Sequence, residues 1–190
     1  MDYKDFFHTA AHAADQVIMQ LDEAKLDQPT PCTSWNVQQL LNHMVNELAW
    51  VPELLAGKTV AEVGDALDGD LLGIDPLLAW RKHLQAATDS VNQATAEATV
   101  HLSYADVTAR HYIIEIGGDL AIHTWDLAKA IGVAYHVPGE LIPEIKSHLA
   151  PMLETMREYQ MLAAQVAIAD DADAETQLLA DLGRSQAWAA

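Results

Sequence analysis

Residues 106–131, DVTARHYIIEIGGDLAIHTWDLAKAI, decide the fold class of this 190-residue chain, because their apolar side chains recur at helical spacing. At about 100° per residue, one narrow band of the helix holds five of them: Ile113, Ile116, Leu120, Leu127 and Ile131. A polar stripe about 80° wide lies beside that band and contains Glu115, Asp119, His123 and Asp126. The stretch therefore predicts a helix with a histidine and three carboxylates at the edge of its buried face.

Helical patterns also dominate the rest of the chain. The apolar spacing predicts helices over Tyr3–Lys25, from a cap at Asn36 or Ser34 to about Ala56, from Asp75 or Pro76 to about Ala98, and from about Asp106 to Ile131. Residues 57–74 read as a loop with one helical turn, and residues 99–104 as an extended segment. A further helical stretch is expected from Pro138 to near Ala167, interrupted at Pro151. A polar segment, 169–177, then leads to a terminal helical turn in LLADLGRSQAW, residues 178–188.

Four long helices joined by one medium linker predict an all-α fold. Strand-rich folds need alternating apolar segments and regular turn pairs, and no internal repeat is visible. We expect an antiparallel four-helix bundle with a helical C-terminal appendage, built as a single domain over residues 1–190.

Composition narrows the class of partner. The net charge is −18, from 10 Lys and Arg against 28 Asp and Glu, so nucleic acid and anionic membrane surfaces are not expected partners. The single cysteine, Cys32, excludes an internal disulfide and a multi-cysteine zinc module. No signal-peptide pattern and no run of 18 apolar residues is present, so a cytoplasmic location is expected.

The polar stripe predicts a metal site. Carboxylates at a buried edge cost several kcal/mol if they stay unpaired, and this helix carries only Arg110 and Lys129 as cations. A divalent metal is a natural compensator. Asp119 and His123 are four residues apart, so both side chains reach one ion on the same helical face. A solvated face or a local hydrogen bond is the alternative.

The second predicted helix supplies a third ligand. In NVQQLLNHMVNELAWV, residues 36–51, His43 lies beside the apolar stripe. Metal sites in bundles are built from facing helices, so His43 would complete a His–Asp–His set with open positions for water or substrate. Glu47, one turn along, is a substitute ligand. The alternative for His43 is a histidine at the core edge, bonded to a backbone carbonyl.

Three motifs resemble a known family: TPCTSW at 30–35, LLNH at 40–43 and DLAIHTWDLAKAIG at 119–132. Together they are similar to the DinB-like metal-binding superfamily, and within it to the N-terminal domain of mycothiol-dependent maleylpyruvate isomerase. The tail LLADLGRSQAW resembles a closing motif of one branch, with Ser185 and Gln186 where Asp-Pro is usual.

The resemblance implies a four-helix bundle that holds a divalent metal, commonly zinc or nickel. The matching positions for the ligands are His43, Asp119 and His123. In the isomerase the acidic ligand is a glutamate, so Asp119 is shorter by one methylene and still able to bind.

Other residues of these motifs have expected roles. Asp126 would accept a hydrogen bond that orients a ligating imidazole, or else would tie its helix to the TPCTSW loop. Trp125 would pack in the core. Cys32 is near a predicted helix N-terminus, where a nucleophile or a ligand is the alternative. A structural role is expected, because no base is evident upstream of it and because the resemblance implies that the reacting thiol belongs to a low-molecular-weight cosubstrate. The other histidines show no paired spacing with the ligands, and His8 and His12 fit an exposed helix face.

The predicted chemistry is thiol activation. A divalent metal lowers the pKa of a bound thiol, so a thiol such as mycothiol or bacillithiol would add to a small electrophile, giving isomerisation or conjugation. No catalytic side chain is assigned beyond the ligands. The chain ends after a short helical tail, where the isomerase has a further domain, so maleylpyruvate is not assigned as substrate. The alternatives are a metal-dependent hydrolase and a non-catalytic, stress-associated metal-binding bundle. A homodimer is left open, because bundles commonly pair through an apolar helix face.

Overall fold

The computed structural model describes residues 1–189 and is mostly helical, which confirms the fold class at the level of secondary structure. A single 3-10 helix, Glu23–Lys25, and one two-stranded sheet accompany the α-helices of the described residues. The α-helices are α1 Tyr3–Ile18, α2 Val37–Leu55, α3 Val60–Val63, α4 Pro76–Gln93, α5 Ala109–Ile131, α6 Ile142–Leu149, α7 Leu153–Glu158 and α8 Ala174–Asp181. The strands are β1 Thr99–His101 and β2 Asp106–Thr108.

Three predicted helix ends are present in the structure: the start of α2, the start of α4 and the end of α5. The Asn36 side chain accepts a hydrogen bond from the backbone N–H of Gln39, and the Gln39 side chain accepts one from the backbone N–H of Asn36. This reciprocal capping box satisfies two free donors at the start of α2. Asp75 caps α4. Gly132 ends α5 in the left-handed conformation at φ 72°, which a glycine adopts without a side-chain clash.

Several predicted boundaries were wrong. Helix α1 ends at Ile18 and not at Lys25, because Asp22 starts a separate 3-10 helix. Helix α4 ends at Gln93 and not near Ala98. Helix α5 begins at Ala109 and not at Asp106, because residues 106–108 pair antiparallel with residues 99–101. The segment expected to be extended thus forms β1, and the first residues of the predicted helix form its partner strand, β2.

The C-terminal third is also more divided than predicted. Of the helical stretch expected from Pro138 to near Ala167, only α6 Ile142–Leu149 and α7 Leu153–Glu158 are helical, so both outer boundaries were wrong. The expected interruption is present, because Pro151, which lacks a backbone N–H, lies between the two helices. Helix α8 begins inside the segment expected to be polar and irregular. Asp173 caps it by accepting a hydrogen bond from the backbone N–H of Thr176 at 2.7 Å.

Helix α5 lies at the centre of the fold. It packs against α1, α2, α6 and the sheet, while α4 packs against α2 and α1. Of its 23 residues, 18 are buried, many more than one apolar band, because neighbours cover it on several sides. Within the polar stripe, His123 and Asp126 are therefore buried, whereas Glu115 and Asp119 stay partly exposed. Within the described residues, no helix has the length and apolar character needed to cross a membrane.

Candidate metal centre

Helices α2 and α5 bring the three predicted ligands together. His43 Nε2 lies 3.4 Å from Asp119 Oδ2, and His123 Nε2 lies 3.4 Å from Asp119 Oδ1. One donor atom from each of the three residues lies within 4.8 Å of the other two. The spacing of Asp119 and His123 along α5 and the packing of α2 against α5 produce this arrangement.

The donor atoms are spaced as ligands around one ion. For tetrahedral zinc with bonds of about 2.1 Å, neighbouring ligand atoms are about 3.4 Å apart. Each imidazole nitrogen lies at that distance from one oxygen of Asp119, His43 from Oδ2 and His123 from Oδ1. His43 Nε2 is buried and has no hydrogen-bond partner within residues 1–189. Such an orphaned buried nitrogen is uncommon unless a ligand or ion completes it. The residues therefore fit a divalent metal.

Asp126 orients the imidazole of His123. Its Oδ2 lies 3.0 Å from His123 Nδ1, and this carboxylate is fully buried beside an arginine. Because an ionised carboxylate only accepts hydrogen bonds, Nδ1 carries the hydrogen and Nε2 faces Asp119. Metal-binding histidines commonly have such an outer partner.

Arg184 is a site residue that the sequence did not predict. It lies just after α8 and donates to both oxygens of Asp126, with Nη2 to Oδ2 at 2.7 Å and Nε to Oδ1 at 3.0 Å. Its Nη1 donates to the carbonyl of Leu182 at 2.9 Å, and its Nη2 lies 3.5 Å from Cys32 Sγ. Arg184 thus links Asp126 to Cys32 of the TPCTSW loop. The tail motif, with its single arginine, was the one signal in the sequence that pointed here.

The charges of the site are coupled. Burial would raise the pKa of Asp119, but the imidazoles of His123 and His43 outweigh burial and hold that pKa well below its usual value. Burial likewise opposes a charge on His123, and Asp119 raises the pKa of His123 well above its ordinary value. Both directions favour an ion pair when no metal is bound. A bound metal would take the place of that proton.

The TPCTSW loop covers one side of the cluster. The indole of Trp35 stacks on the ring of His43, with centroids 4.6 Å apart and an interplanar angle of 30°. The hydroxyl of the buried Thr30 lies within hydrogen-bond distance of the carbonyls of Cys32 and Trp35, which closes the loop. Cys32 is a free thiol whose sulfur lies near His123 and Asp126. The loop therefore restricts where His43 can move.

Glu47, the substitute ligand, lies on the other side of His43. Its Oε1 is 3.9 Å from His43 Nδ1, so it contacts the nitrogen that faces away from Asp119. Burial, and next the charge of Asp119, raises the pKa of Glu47 to about 7. Asp119, and not Glu47, is the carboxylate placed between the two imidazoles.

A cleft of about 520 Å³ opens beside His43. It lies between α2 and the loop that follows α3, and Asn42 and Asn46 hold that loop by donating to the carbonyls of Gly69 and Leu67. Ten residues line it: Trp35, Gln38, Gln39, Asn42, His43, Asn46, Leu67, Asp68, Gly69 and Asp70. Of the three predicted ligands, His43 alone belongs to this lining.

Trp125 and the histidines of α1 have the surroundings that the sequence predicted. Trp125 is buried in the core, as expected. His8 bonds to Asn92, and His12 bonds to Gln16 on the outer face of α1.

A helical protein with a histidine–carboxylate cluster between two core helices is thus the class that fold and site define. The chain matches the model of the mycothiol maleylpyruvate isomerase N-terminal domain over residues 7–128 and belongs to that family. The match includes all three predicted ligands and Asp126, and it ends before Arg184. Searches among curated proteins and among solved structures found no significant match.

Proposed function

We propose that this protein binds one divalent metal, zinc or nickel, through His43, Asp119 and His123, and uses it to activate a low-molecular-weight thiol for attack on a small electrophile. The observation that carries the proposal is the convergence of three donor atoms from α2 and α5 around the orphaned His43 Nε2. Membership of the mycothiol maleylpyruvate isomerase N-terminal domain family supports a thiol as cosubstrate.

The bound metal would supply Lewis acidity that lowers the pKa of a thiol in its open position. The chain supplies the rest. Asp126 keeps the hydrogen of His123 on Nδ1 so that Nε2 stays available, and Arg184 keeps Asp126 ionised. Trp35 holds the ring plane of His43. A rigid ligand set of this kind is prepared before the substrate binds.

The cleft beside His43 is the proposed entry for the electrophile. Gln38 offers a side-chain amide there, and Asp68 and Asp70 make the rim acidic. Together with the net charge of −18, the acidic rim disfavours anionic substrates. We therefore propose a neutral electrophile. The thiol proton would pass to solvent, and the thiolate sulfur would form a bond to the electrophilic carbon. On an unsaturated electrophile the carbon–carbon π bond would break and the neighbouring carbon would take a proton from solvent, and the adduct would be released or would rotate and expel the thiol as the isomer. On an electrophile with a leaving group, that group would depart with its bonding electrons.

We also propose that the four long helices α1, α2, α4 and α5 form the bundle of the DinB-like proteins, and that the C-terminal segment belongs to the same domain. Two contacts support this unit. Helix α6 packs on α5, and Arg184 holds Asp126 of α5.

The test combines elemental analysis with a thiol-transfer assay. We expect near-stoichiometric zinc or nickel in untagged protein, and a mycothiol-dependent rise in fluorescence with monochlorobimane, a neutral electrophile that loses chloride to a thiol. His43→Ala and His123→Ala should lose one equivalent of metal, the ion held by this cluster, and the thiol-dependent rate while they keep their circular dichroism spectra. The control is His12→Ala, which removes an exposed histidine outside the cluster.

Two results would contradict the proposal. Wild-type protein without metal after incubation with excess zinc would remove both the site and the chemistry. Metal-loaded protein that hydrolyses 4-nitrophenyl acetate without a thiol, and shows no thiol-dependent rate, would instead favour a hydrolase that uses bound water.

A further inference from the structure

A second histidine–carboxylate cluster lies one helical turn from the first. Glu115 precedes Asp119 by four residues on α5, which is about 6 Å along the helix axis. His111, one turn further back, and His148 of α6 both face Glu115. Glu115 belongs to the polar stripe of α5, but neither of these two histidines has a role in the chemistry of the first cluster.

The three side chains are arranged around a common point. Glu115 Oε2 lies 3.6 Å from His111 Nε2 and 3.8 Å from His148 Nε2, and the donor atoms lie within 4.8 Å of one another. The two imidazole rings are 4.5 Å apart. These separations are a few tenths of an ångström wider than the spacing of about 3.4 Å between ligands of tetrahedral zinc, so small side-chain rotations close the set.

His148 gives the independent sign of a ligand. Its side chain is 9% exposed, and its buried Nε2 has no hydrogen-bond partner among the described residues. A buried imidazole nitrogen without a partner loses the hydrogen bond it had to water. This nitrogen points towards Glu115, and a cation between them would satisfy both groups.

Tyr104 completes the surroundings of Glu115. Its hydroxyl donates a hydrogen bond to Glu115 Oε2 from the turn between β1 and β2. A hydroxyl in this place orients a ligating carboxylate, as outer partners do in metal sites. His111 is 40% exposed, so an ion could enter from solvent on that side.

We infer that His111, Glu115 and His148 form a second site for a divalent transition-metal ion, separate from the first. Two imidazoles and one carboxylate suit zinc, iron, nickel or manganese better than calcium or magnesium. The ion would join α6 to α5. The second site is inferred from contacts that the first site does not share, so it does not depend on the proposed function of the first site.

The test is metal stoichiometry of the full chain. Each protein is incubated with excess zinc, passed over a chelating resin to remove loosely held ions, and measured by elemental analysis. We expect two zinc ions per chain in the wild type and in the control His12→Ala. We expect one in His148→Ala, one in His43→Ala, and none in the double variant.

Different results separate the two sites. A wild type that holds one ion, lost in His43→Ala and kept in His148→Ala, would overturn the second site and leave the first. One ion that His148→Ala loses and His43→Ala keeps would do the reverse. If His148→Ala fails to fold by circular dichroism, the more exposed His111→Ala takes its place, and an unchanged count of two in that variant would overturn the inference.

Discussion

Asp126 shows how a single buried charge is balanced in this protein. The carboxylate is fully buried, and its charge is balanced by Arg184, which lies 58 residues away in the chain. Burial would raise the pKa of Asp126, but Arg184 and His123 hold it below its usual value. Burying the two charges costs desolvation free energy, so the net contribution of the intact pair to stability is small. Removing only one partner is expected to destabilise the protein by more than that contribution, because it leaves the other charge buried and unpaired.

Arg184→Met should therefore destabilise the fold strongly, because it leaves the Asp126 carboxylate buried without a cation. We expect a loss of about 3–5 kcal/mol in the free energy of unfolding, measured by urea denaturation at neutral pH. Arg110→Met, at an exposed position of α5, is the matched control and should change little. A loss as small for Arg184→Met as for Arg110→Met would show that the ion pair does not matter for stability.

Among the elements, α1 and α5 pack closely against each other. Gly117 lies where the ring of Phe6 and the backbone of Phe7 come closest: a Cβ built on it would stand 2.9 Å from Phe6 Cδ1 and 3.4 Å from Phe7 Cα. Phe6 is only 1% exposed, so its ring has no free space to move into. The next residue, Gly118, faces α6, where its Cβ would meet Ile145 at an ordinary 3.6 Å.

These adjacent glycines form a matched pair of tests. Gly117→Ala should destabilise the protein by about 1–3 kcal/mol, because it overpacks the contact between α1 and α5. Gly118→Ala should be neutral or stabilising by up to about 1 kcal/mol, because alanine favours a helix over glycine. Urea denaturation of both variants measures the difference. Equal effects of the two substitutions would mean that α1 and α5 are not held at this distance.

At the scale of the whole molecule, the proposed metal binding would be linked to folding and to pH. The proposed first site takes ligands from α2 and α5, so it exists only in the folded chain. In the metal-free protein, burial lowers the pKa of His123, but Asp119 outweighs burial and raises that pKa, so this imidazole holds its proton more tightly than a free one. Zinc at the proposed site would have to displace that proton, so we expect its affinity to fall as the pH decreases.

The stabilisation by zinc should accordingly depend on pH. Because the folded pKa of His123 lies above its unfolded value of about 6.5, the proton stabilises the metal-free fold below that value, and this effect is lost as the pH rises through the folded pKa. As the pH rises, the metal-free fold loses the stabilisation by this proton and the affinity for zinc increases, and both changes make the stabilisation by zinc larger. We expect excess zinc to raise the Tm less at about pH 5.5 than at about pH 7.5. A shift of equal size at both values would contradict proton release, and His123→Ala is the control.

The sequence by itself determined the features that depend on near neighbours in the chain. The cap of α2 needs only Asn36 and Gln39, three residues apart, and the stop of α5 needs only Gly132. The spacing of Asp119, His123 and Asp126 likewise follows from one helical period, so the residue pattern alone places them on a common face. The helical period also placed His43 beside the apolar stripe of its own helix, and the family resemblance selected it as a ligand.

Tertiary structure decided the features in which the partners are far apart in the chain. Arg184 reaches Asp126, and His148 reaches Glu115, only after α6 and the C-terminal segment pack back onto α5. Residues 106–108 carry a helical pattern but pair as a strand, because the backbone of residues 99–101 offers hydrogen bonds across the turn. A local pattern records the period of a helix and its caps. It contains no information on which distant charge will be buried beside it, and that choice belongs to packing.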